Sequence, residues 1–257
     1  MEGRVVRISI APVKALHLVH LEEVELTAAG VVGDRRFWLV DAAGRLANVK
    51  RIPRLTRVGV EWDEATRRLA LSFDEETVEG IVEPGDAVEA ILYDETHPSR
   101  AVPGPWQEAL SDYAGQPLTL LWSERGAVDR GALRGGWASI LSSGSLERLR
   151  EEAGEAEPVD GRRFRMLFEI DGVRPHAEDE WIGRRVTVGG AVVEAIGNVG
   201  RCAVTTRNPD SGELDLDTLR VLTSYRPEGQ TERLPFGIWG NVVQPGRVRL
   251  GDPVVPA

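Results

Sequence analysis

Short apolar segments separated by polar turns run through the first third of the chain and predict β-strands. Residues 57–62 and 68–73 alternate between apolar and polar side chains, as strands with one buried face do. The polar stretch between them predicts a hairpin. Further strands are predicted at residues 5–10, 20–26, 37–40, 45–49, 78–82 and 87–92.

The rest of the chain mixes helical and strand patterns. Apolar spacing predicts helices at 106–113, at 145–152 with Ser145 as the N-cap, and near 215–222. Strands are predicted at 164–170 and 203–206, and around Pro245-Gly246. Gly189-Gly190 predicts a hairpin turn between 185–188 and 191–193, because glycine adopts the positive φ angles that such turns need.

Many short strands with few helices predict a mostly β (α+β) protein of the barrel type. The length of 257 residues is enough for two modest domains. Residues 94–105 are rich in proline and turn residues and predict a linker. The predicted domains are therefore a smaller β-rich unit at 1–95 and a barrel unit at 106–257.

The charge argues against nucleic acid and membrane partners. The formal net charge is −10, whereas proteins that bind nucleic acid or anionic membranes usually present a basic surface. No apolar run reaches the roughly 20 residues that span a bilayer, and no signal-peptide pattern opens the chain. With only one cysteine, these features predict a cytoplasmic protein.

Several common sites are excluded by the motifs that the chain lacks. It has no dinucleotide fingerprint, no Walker-type glycine-lysine motif and no nucleophile elbow. An iron–sulfur cluster needs about four cysteine ligands, so none can form. The group around His176 and Glu178 is interpreted as a solvated loop in preference to a cation site.

Cys202, the only cysteine, leaves three alternatives open. It is a small buried apolar residue, a nucleophile, or the one protein ligand of a metal whose other ligands come from a cofactor. Arg201 precedes it and favours a thiolate by its charge.

The surroundings of Cys202 resemble a known signature. Residues 200–212 read GRCAVTTRNPDSG and closely resemble the motif of MOSC domains, the C-terminal domain family of molybdenum cofactor sulfurases. Residues 219–226, 235–240 and 245–254 resemble the end of that domain. APVK at 11–14, GDRRFWLV at 33–40 and PRL at 53–55 resemble the N-terminal β-barrel domain of the mitochondrial amidoxime-reducing branch. The resemblance covers essentially the whole chain and implies a β-barrel MOSC domain after a smaller β-rich domain.

The resemblance also implies a cofactor and its ligands. The family binds molybdenum–molybdopterin, with the residue at Cys202 as the protein ligand of molybdenum. The positions that match cofactor contacts are Lys14, Arg36, Ser142 and Arg165, and Arg201 is a further candidate. Lysine and arginine are suited to hold the terminal phosphate of molybdopterin.

Two departures from the family pattern concern the cofactor's surroundings. Ala15 stands where relatives often have a serine, and Met166-Leu167 stands where the pattern reads proline-asparagine. Both remove a polar side chain and leave Cys202 unchanged.

The function implied by the resemblance is reduction of N-hydroxylated small molecules by oxygen-atom transfer at a cysteine-ligated molybdenum centre. Electrons would come from a separate reductase, ferredoxin or cytochrome, because the chain carries no other redox motif. Two alternatives remain: a non-catalytic carrier of the molybdenum cofactor or sulfur-handling module, and a β-barrel binding domain in which Cys202 only packs.

Overall fold

Strands make up most of the regular structure, as the short apolar segments predict. The computed structural model describes residues 2–93, 95–123 and 137–257. The strands are β1 (Gly3–Ile10), β2 (Val19–Leu21), β3 (Glu23–Thr27), β4 (Gly30–Val31), β5 (Phe37–Asp41), β6 (Leu46–Ala47), β7 (Gly59–Asp63), β8 (Arg68–Ser72), β9 (Thr77–Ile81), β10 (Ala87–Leu92), β11 (Glu95–Ala101), β12 (Leu118–Ser123), β13 (Trp137–Ser142), β14 (Phe168–Asp171), β15 (Arg185–Val188), β16 (Ala191–Gly200), β17 (Pro235–Gln244), β18 (Gly246–Arg249) and β19 (Pro253–Pro256). The helices are α1 (Trp106–Ala114), α2 (Ser143–Ala153) and α3 (Thr218–Tyr225), with short 3-10 helices at Pro53–Arg57, Gly161–Phe164, Ala177–Trp181 and Ala203–Thr206.

Seven strands close into a barrel. Their order is β14-β13-β17-β16-β15-β19-β1, and pairing of β1 with β14 joins the two ends. All neighbours are antiparallel except β13 and β14. Apolar side chains that alternate along these strands, such as Ile8, Phe168 and Ile238, fill the interior and are almost wholly buried.

A second group of sheets forms around its own core. A five-stranded sheet has the order β10-β11-β12-β5-β6, and the strands β7, β8 and β9 form a three-stranded sheet. The predicted hairpin at 57–73 is confirmed as β7 and β8, with Val60 opposite Leu71. The core between these elements includes Phe37, Leu69 and Trp106 of α1. A third sheet, in the order β18-β3-β4, adds strands from both ends of the chain.

Strand pairing crosses the predicted domain boundary in both directions. The first strand, β1, is part of the barrel, although it belongs to the predicted domain at 1–95. Conversely, β12 pairs with β5, although it belongs to the predicted domain at 106–257. The division into these two domains stays a prediction. In the structure, a strand of each predicted domain pairs with strands of the other.

The predicted linker at 94–105 is wrong for most of its length, because residues 95–101 form β11. This strand pairs with both β10 and β12. His97 and Ser99 point inward and are 2% and 4% exposed. The cost of burying these polar groups is offset because the indole N–H of Trp38 donates to the Ser99 hydroxyl at 3.0 Å, and that hydroxyl lies 3.2 Å from Nδ1 of His97.

The second helix begins earlier than predicted. Ser142, not Ser145, is the N-cap of α2, because the Ser142 hydroxyl accepts the backbone N–H of Ser145 at 3.1 Å. The predicted strand at 203–206 is also wrong, since Ala203–Thr206 is a 3-10 helix. The predicted strand at 164–170 is regular only from Phe168 onward.

Gly240 of β17 should tolerate no side chain. A Cβ atom there would lie 2.3 Å from the carbonyl oxygen of Glu194 on β16. We expect Gly240→Ala to lower the free energy of unfolding by about 3 kcal/mol, measured by urea denaturation. Gly154, at a positive φ of 72° with no atom within 4 Å, is the matched control. Its alanine variant should lose only about 1 kcal/mol, and equal losses would contradict this account.

Candidate functional site

Cys202 lies just beyond β16, at the rim of the barrel. The strand ends at Gly200, which pairs with Pro235 at the start of β17. Cys202 is extended (φ −131°, ψ 175°) and caps the following 3-10 helix, and its carbonyl oxygen accepts the N–H and the hydroxyl of Thr205, both at 3.0 Å. The residue is exposed, so a ligand in solvent can reach its thiol.

Arg201 turns its guanidinium inward behind Cys202. Its Nε donates to the carbonyl oxygen of Phe236 at 2.9 Å, and its Nη1 donates to that of Phe164 at 3.0 Å. Its Nη2 lies 2.9 Å from the sulfur of Met166, and the guanidinium carbon lies 5.1 Å from the Phe164 ring centroid. These contacts hold the end of β16 against β17 and against residues 164–166. A direct contact between Arg201 and a cofactor stays a prediction.

The loop after Cys202 is held in shape and docked on the N-terminal half. The Asn208 side-chain oxygen accepts the N–H groups of Asp210 and Ser211 at 2.9 and 3.1 Å, which closes the predicted turn. The Thr56 hydroxyl donates to the carbonyl oxygen of Pro209 at 2.9 Å. The Cys202 loop is thereby hydrogen-bonded to the 3-10 helix Pro53–Arg57, which contains the PRL motif.

Arg165 connects the Cys202 region to the N-terminal motifs. It lies between Phe164 and Met166, both of which Arg201 contacts. Its Nη2 donates to the carbonyl oxygen of Leu16 at 2.8 Å, two residues beyond Lys14. The structure thus brings Arg165 close to both predicted parts of the site.

The segments that carry Lys14 and Arg36 are paired through their backbones. Val13 and Phe37 form an isolated parallel bridge, and the N–H of Lys14 donates to the carbonyl oxygen of Phe37 at 2.8 Å. The backbones of the two motifs, 22 positions apart at Lys14 and Arg36, are therefore paired.

Both cations lie over aromatic rings. The guanidinium carbon of Arg36 is 4.1 Å from the ring centroid of Trp122, and the Lys14 ammonium is 5.7 Å from that of Tyr93. Both distances are within the roughly 6 Å of cation–π attraction. Neither aromatic residue is predicted as part of the site, because no local motif marks them.

Backbone strain is concentrated here. Ala15, Arg35 and Arg165 have positive φ angles of 82°, 49° and 54°. Each such conformation costs a non-glycine residue about 1 kcal/mol, and strain of this kind clusters at functional sites. Arg35 donates to the carbonyl oxygen of Arg165 at 2.9 Å and pairs with Asp34. Ala15, one of the two departures from the family pattern, is therefore at a conformationally demanding position.

Ser142 does not share this surface. Its side chain is fully buried, and its hydroxyl donates to the Glu178 carboxylate at 2.9 Å. Its backbone N–H donates to the same carboxylate at 3.2 Å, and the Ser145 hydroxyl does so at 2.7 Å. A cofactor contact through Ser142 stays a prediction, and it would require this hydroxyl to leave Glu178.

The interpretation of the region around Glu178 as a solvated loop is wrong for Glu178 itself. Its side chain is fully buried, and burial raises its pKa. Burial, with the charges of Arg226 and Arg148, lowers the pKa of nearby His176 to about 3. The ring nitrogens of His176 and the hydroxyl of Tyr225 are buried without hydrogen-bond partners in the described structure.

The described residues contain no group of three or more histidine, cysteine, aspartate or glutamate side chains arranged to hold a metal ion. Cys202 is the only thiol of the sequence, and among residues 2–93, 95–123 and 137–257 it belongs to no such group. Of the glycine-rich stretch at 131–144, residues 131–136 lie outside the described residues, and the remainder forms β13 and the start of α2.

Comparison with protein families decides the relationship. The model of the MOSC N-terminal beta barrel domain matches residues 2–92, and the model of the MOSC domain matches residues 137–255. The chain belongs to the MOSC domain family. This finding confirms the resemblance carried by the Cys202 motif and by the N-terminal motifs.

Two animal relatives align with almost the whole chain, and a plant relative aligns with part of it. The mitochondrial amidoxime-reducing component 1 of Mus musculus is 26% identical, over 98% of this chain and 82% of the relative. The protein of the same name from Xenopus laevis is 27% identical over 98% of this chain and 81% of its own length. Molybdenum cofactor sulfurase of Solanum lycopersicum is 29% identical over 42% of this chain and 14% of the sulfurase.

Among solved structures, the YuaD protein from Bacillus subtilis aligns over 99% of this MOSC chain and 94% of its own, with a TM-score of 0.45 and 14% identity. Within the residues that the structure describes, none of the helices has the length and apolar character needed to cross a membrane.

Arg201 should stabilise the rim of this MOSC barrel. In Arg201→Gln the carbonyl oxygens of Phe236 and Phe164 lose charged donors, so we expect the free energy of unfolding to fall by about 2 kcal/mol. Arg220→Gln is the control, because Arg220 is exposed and has only a 3.7 Å pair with Asp217. Chemical denaturation measures both, and an equally small effect of the two changes would contradict the structural role.

His176 should make stability depend on pH. Its pKa is about 3 in the folded protein and about 6.5 when unfolded, so protons favour the unfolded chain. Stability present above pH 6.5 is therefore lost as the pH falls toward 3. We expect His176→Phe to lose less stability than wild type between pH 7.5 and pH 5.5.

Glu178 has the opposite effect on the pH dependence of stability. Its pKa is raised in the folded protein, so proton binding favours the folded state. Glu178→Gln should therefore steepen the loss of stability on acidification. Urea denaturation at both pH values measures these slopes. His20 is the comparison: it is more exposed than His176, and its pKa is lowered by partial desolvation and by the charge of Arg7. Its glutamine variant should change the slope less. An unchanged slope in His176→Phe would contradict the assignment.

Proposed function

We propose that this MOSC protein binds a molybdenum cofactor and reduces N-hydroxylated small molecules. The observation that carries the proposal is a chain of contacts between the segments of the site. Arg201, beside exposed Cys202, donates to the carbonyl oxygen of Phe164, the residue before Arg165. Arg165 donates to the carbonyl oxygen of Leu16, and the Lys14 N–H donates to that of Phe37, next to Arg36. The names of the relatives, amidoxime-reducing components and a molybdenum cofactor sulfurase, support a function associated with this cofactor.

The chemistry of the donor set fits molybdenum–molybdopterin. A thiolate suits a thiophilic metal, and the absence of a protein ligand cluster among the described residues favours a metal whose other ligands come from a cofactor. The neighbouring cations suit the terminal phosphate of molybdopterin.

Each side chain has a role in this proposal. Cys202 is the metal ligand, and its exposure leaves an open side for substrate. Arg201 positions Cys202 through its bonds to backbone carbonyl oxygens. Lys14 and Arg36 bind the phosphate of the cofactor, and Arg165 contacts the cofactor between its phosphate and its metal end. When bound, this cofactor supplies two-electron oxygen-atom-transfer chemistry.

Electrons have to reach the site from a partner. The single cysteine rules out an iron–sulfur cluster in this chain. An external electron donor of the reductase, ferredoxin or cytochrome type is therefore part of the proposal. The cytoplasmic location stays a prediction, while the names of the animal relatives refer to mitochondria.

Molybdenum content tests the proposal. Wild type expressed in a host that makes molybdopterin should purify with equimolar molybdenum, measured by elemental analysis. Cys202→Ala should lose most of the metal, because the chain has no second thiol. Ser211→Ala, an exposed change in the same loop, should keep it.

The same preparations should then be given an amidoxime and a chemical electron donor. We expect wild type and Ser211→Ala to form the amidine, and Cys202→Ala to be at least about 100-fold slower. Bound molybdenum without turnover would identify a cofactor carrier instead. Wild type without molybdenum, or full activity in Cys202→Ala, would overturn the ligand assignment.

A further inference from the structure

Arg36 is held by β12 through both its backbone and its side chain. Its carbonyl oxygen accepts the N–H of Ser123 at 2.9 Å. Its guanidinium carbon lies 4.1 Å from the ring centroid of Trp122, the preceding residue on that strand. One strand therefore determines both where Arg36 leaves the backbone and the direction of its side chain.

Trp122 is itself rigidly placed. It is 8% exposed and belongs to the core of the N-terminal sheets. The rings of Phe37 and Trp62 meet it edge to face, with centroids 5.2 and 5.7 Å away, and these two rings lie 4.9 Å from each other. Edge-to-face packing of three rings resists rotation of each of them.

A second cation uses the same indole. The guanidinium carbon of exposed Arg67 lies 5.5 Å from the Trp122 centroid. Trp122 thus gathers two positive charges that approach from different parts of the chain, and this raises the positive potential beside Arg36.

We infer that Trp122 is a positioning residue that orients the Arg36 guanidinium for an anionic, phosphate-class group of the bound ligand. The N–H donors of a guanidinium lie in its plane, so the ring that fixes the plane fixes the directions in which phosphate oxygens are bound. Arginine loses considerable rotamer freedom when it binds, and a fixed orientation lowers that cost. In its cofactor form the inference rests on the proposed function.

Lys14 provides an internal comparison. Its ammonium lies farther from the ring of Tyr93, at 5.7 Å, and Tyr93 is 45% exposed. Water screens such a contact, so Tyr93 should contribute less than Trp122.

Release of the cofactor from the loaded protein tests the inference. We expect Trp122→Leu to speed molybdenum release about 3- to 30-fold, the range of a partly buried cation–π contact. Trp122→Phe keeps an aromatic face and should stay within about two-fold of wild type. Leu120→Ala is the matched control, since Leu120 lies on the same strand and in the same core without a cation contact. It should lower the melting temperature without changing release.

A double variant shows whether Trp122 acts through Arg36. Trp122→Leu with Arg36→Gln should release molybdenum no faster than Arg36→Gln alone. Additive effects, or equal release from Trp122→Leu and Leu120→Ala, would overturn the inference.

Inorganic pyrophosphate separates this inference from the proposed function. On cofactor-free protein it should raise the melting temperature of wild type and of Trp122→Phe, and much less that of Trp122→Leu. If wild type holds no molybdenum but shows this pattern, the proposed function fails and the inference stands. If pyrophosphate stabilises wild type and Trp122→Leu equally, or stabilises neither, the inference fails.

Discussion

Closure of the barrel by β1 and β14 is the constraint on which the site depends. Ile8 pairs with Phe168, and the ladder continues as the N–H of Ser9 donates to the carbonyl oxygen of Leu167 at 2.9 Å. Because the two strands are antiparallel, the segment that follows β1 meets the segment that precedes β14. Lys14 lies in the first segment and Arg165 in the second, so closing the barrel brings them together.

The segments that meet at this place carry four positively charged residues. Lys14, Arg35, Arg36 and Arg165 come from three segments, and their repulsion opposes the arrangement. The structure counters it with local acceptors: Asp34 pairs with Arg35 and accepts the N–H of Ala11 at 2.8 Å. Backbone carbonyl oxygens accept from Arg35 and Arg165, and aromatic rings lie under Lys14 and Arg36. A positive site in a chain of net charge −10 is therefore stabilised by neighbouring groups and not by overall composition.

Periodicity predicted the elements whose two faces differ in polarity. The hairpin of β7 and β8 is the clearest case, because one face of each strand is buried and the other is not. The same reasoning missed β12, in which five of six residues are buried, so no alternation appears. The prolines and turn residues at 94–105 predict a linker, whereas β11 is stabilised by long-range contacts such as the bond from Trp38 to buried Ser99, 61 positions away.

The sequence by itself determined the family, the order of the motifs and the single thiol at Cys202. These are properties of local residue identity. Tertiary structure decided that Arg201 turns inward, that Ser142 is bound to buried Glu178, and that Trp122 lies under Arg36. Each of these contacts joins residues at least 35 positions apart, so its direction and burial depend on strand pairing that no local pattern encodes.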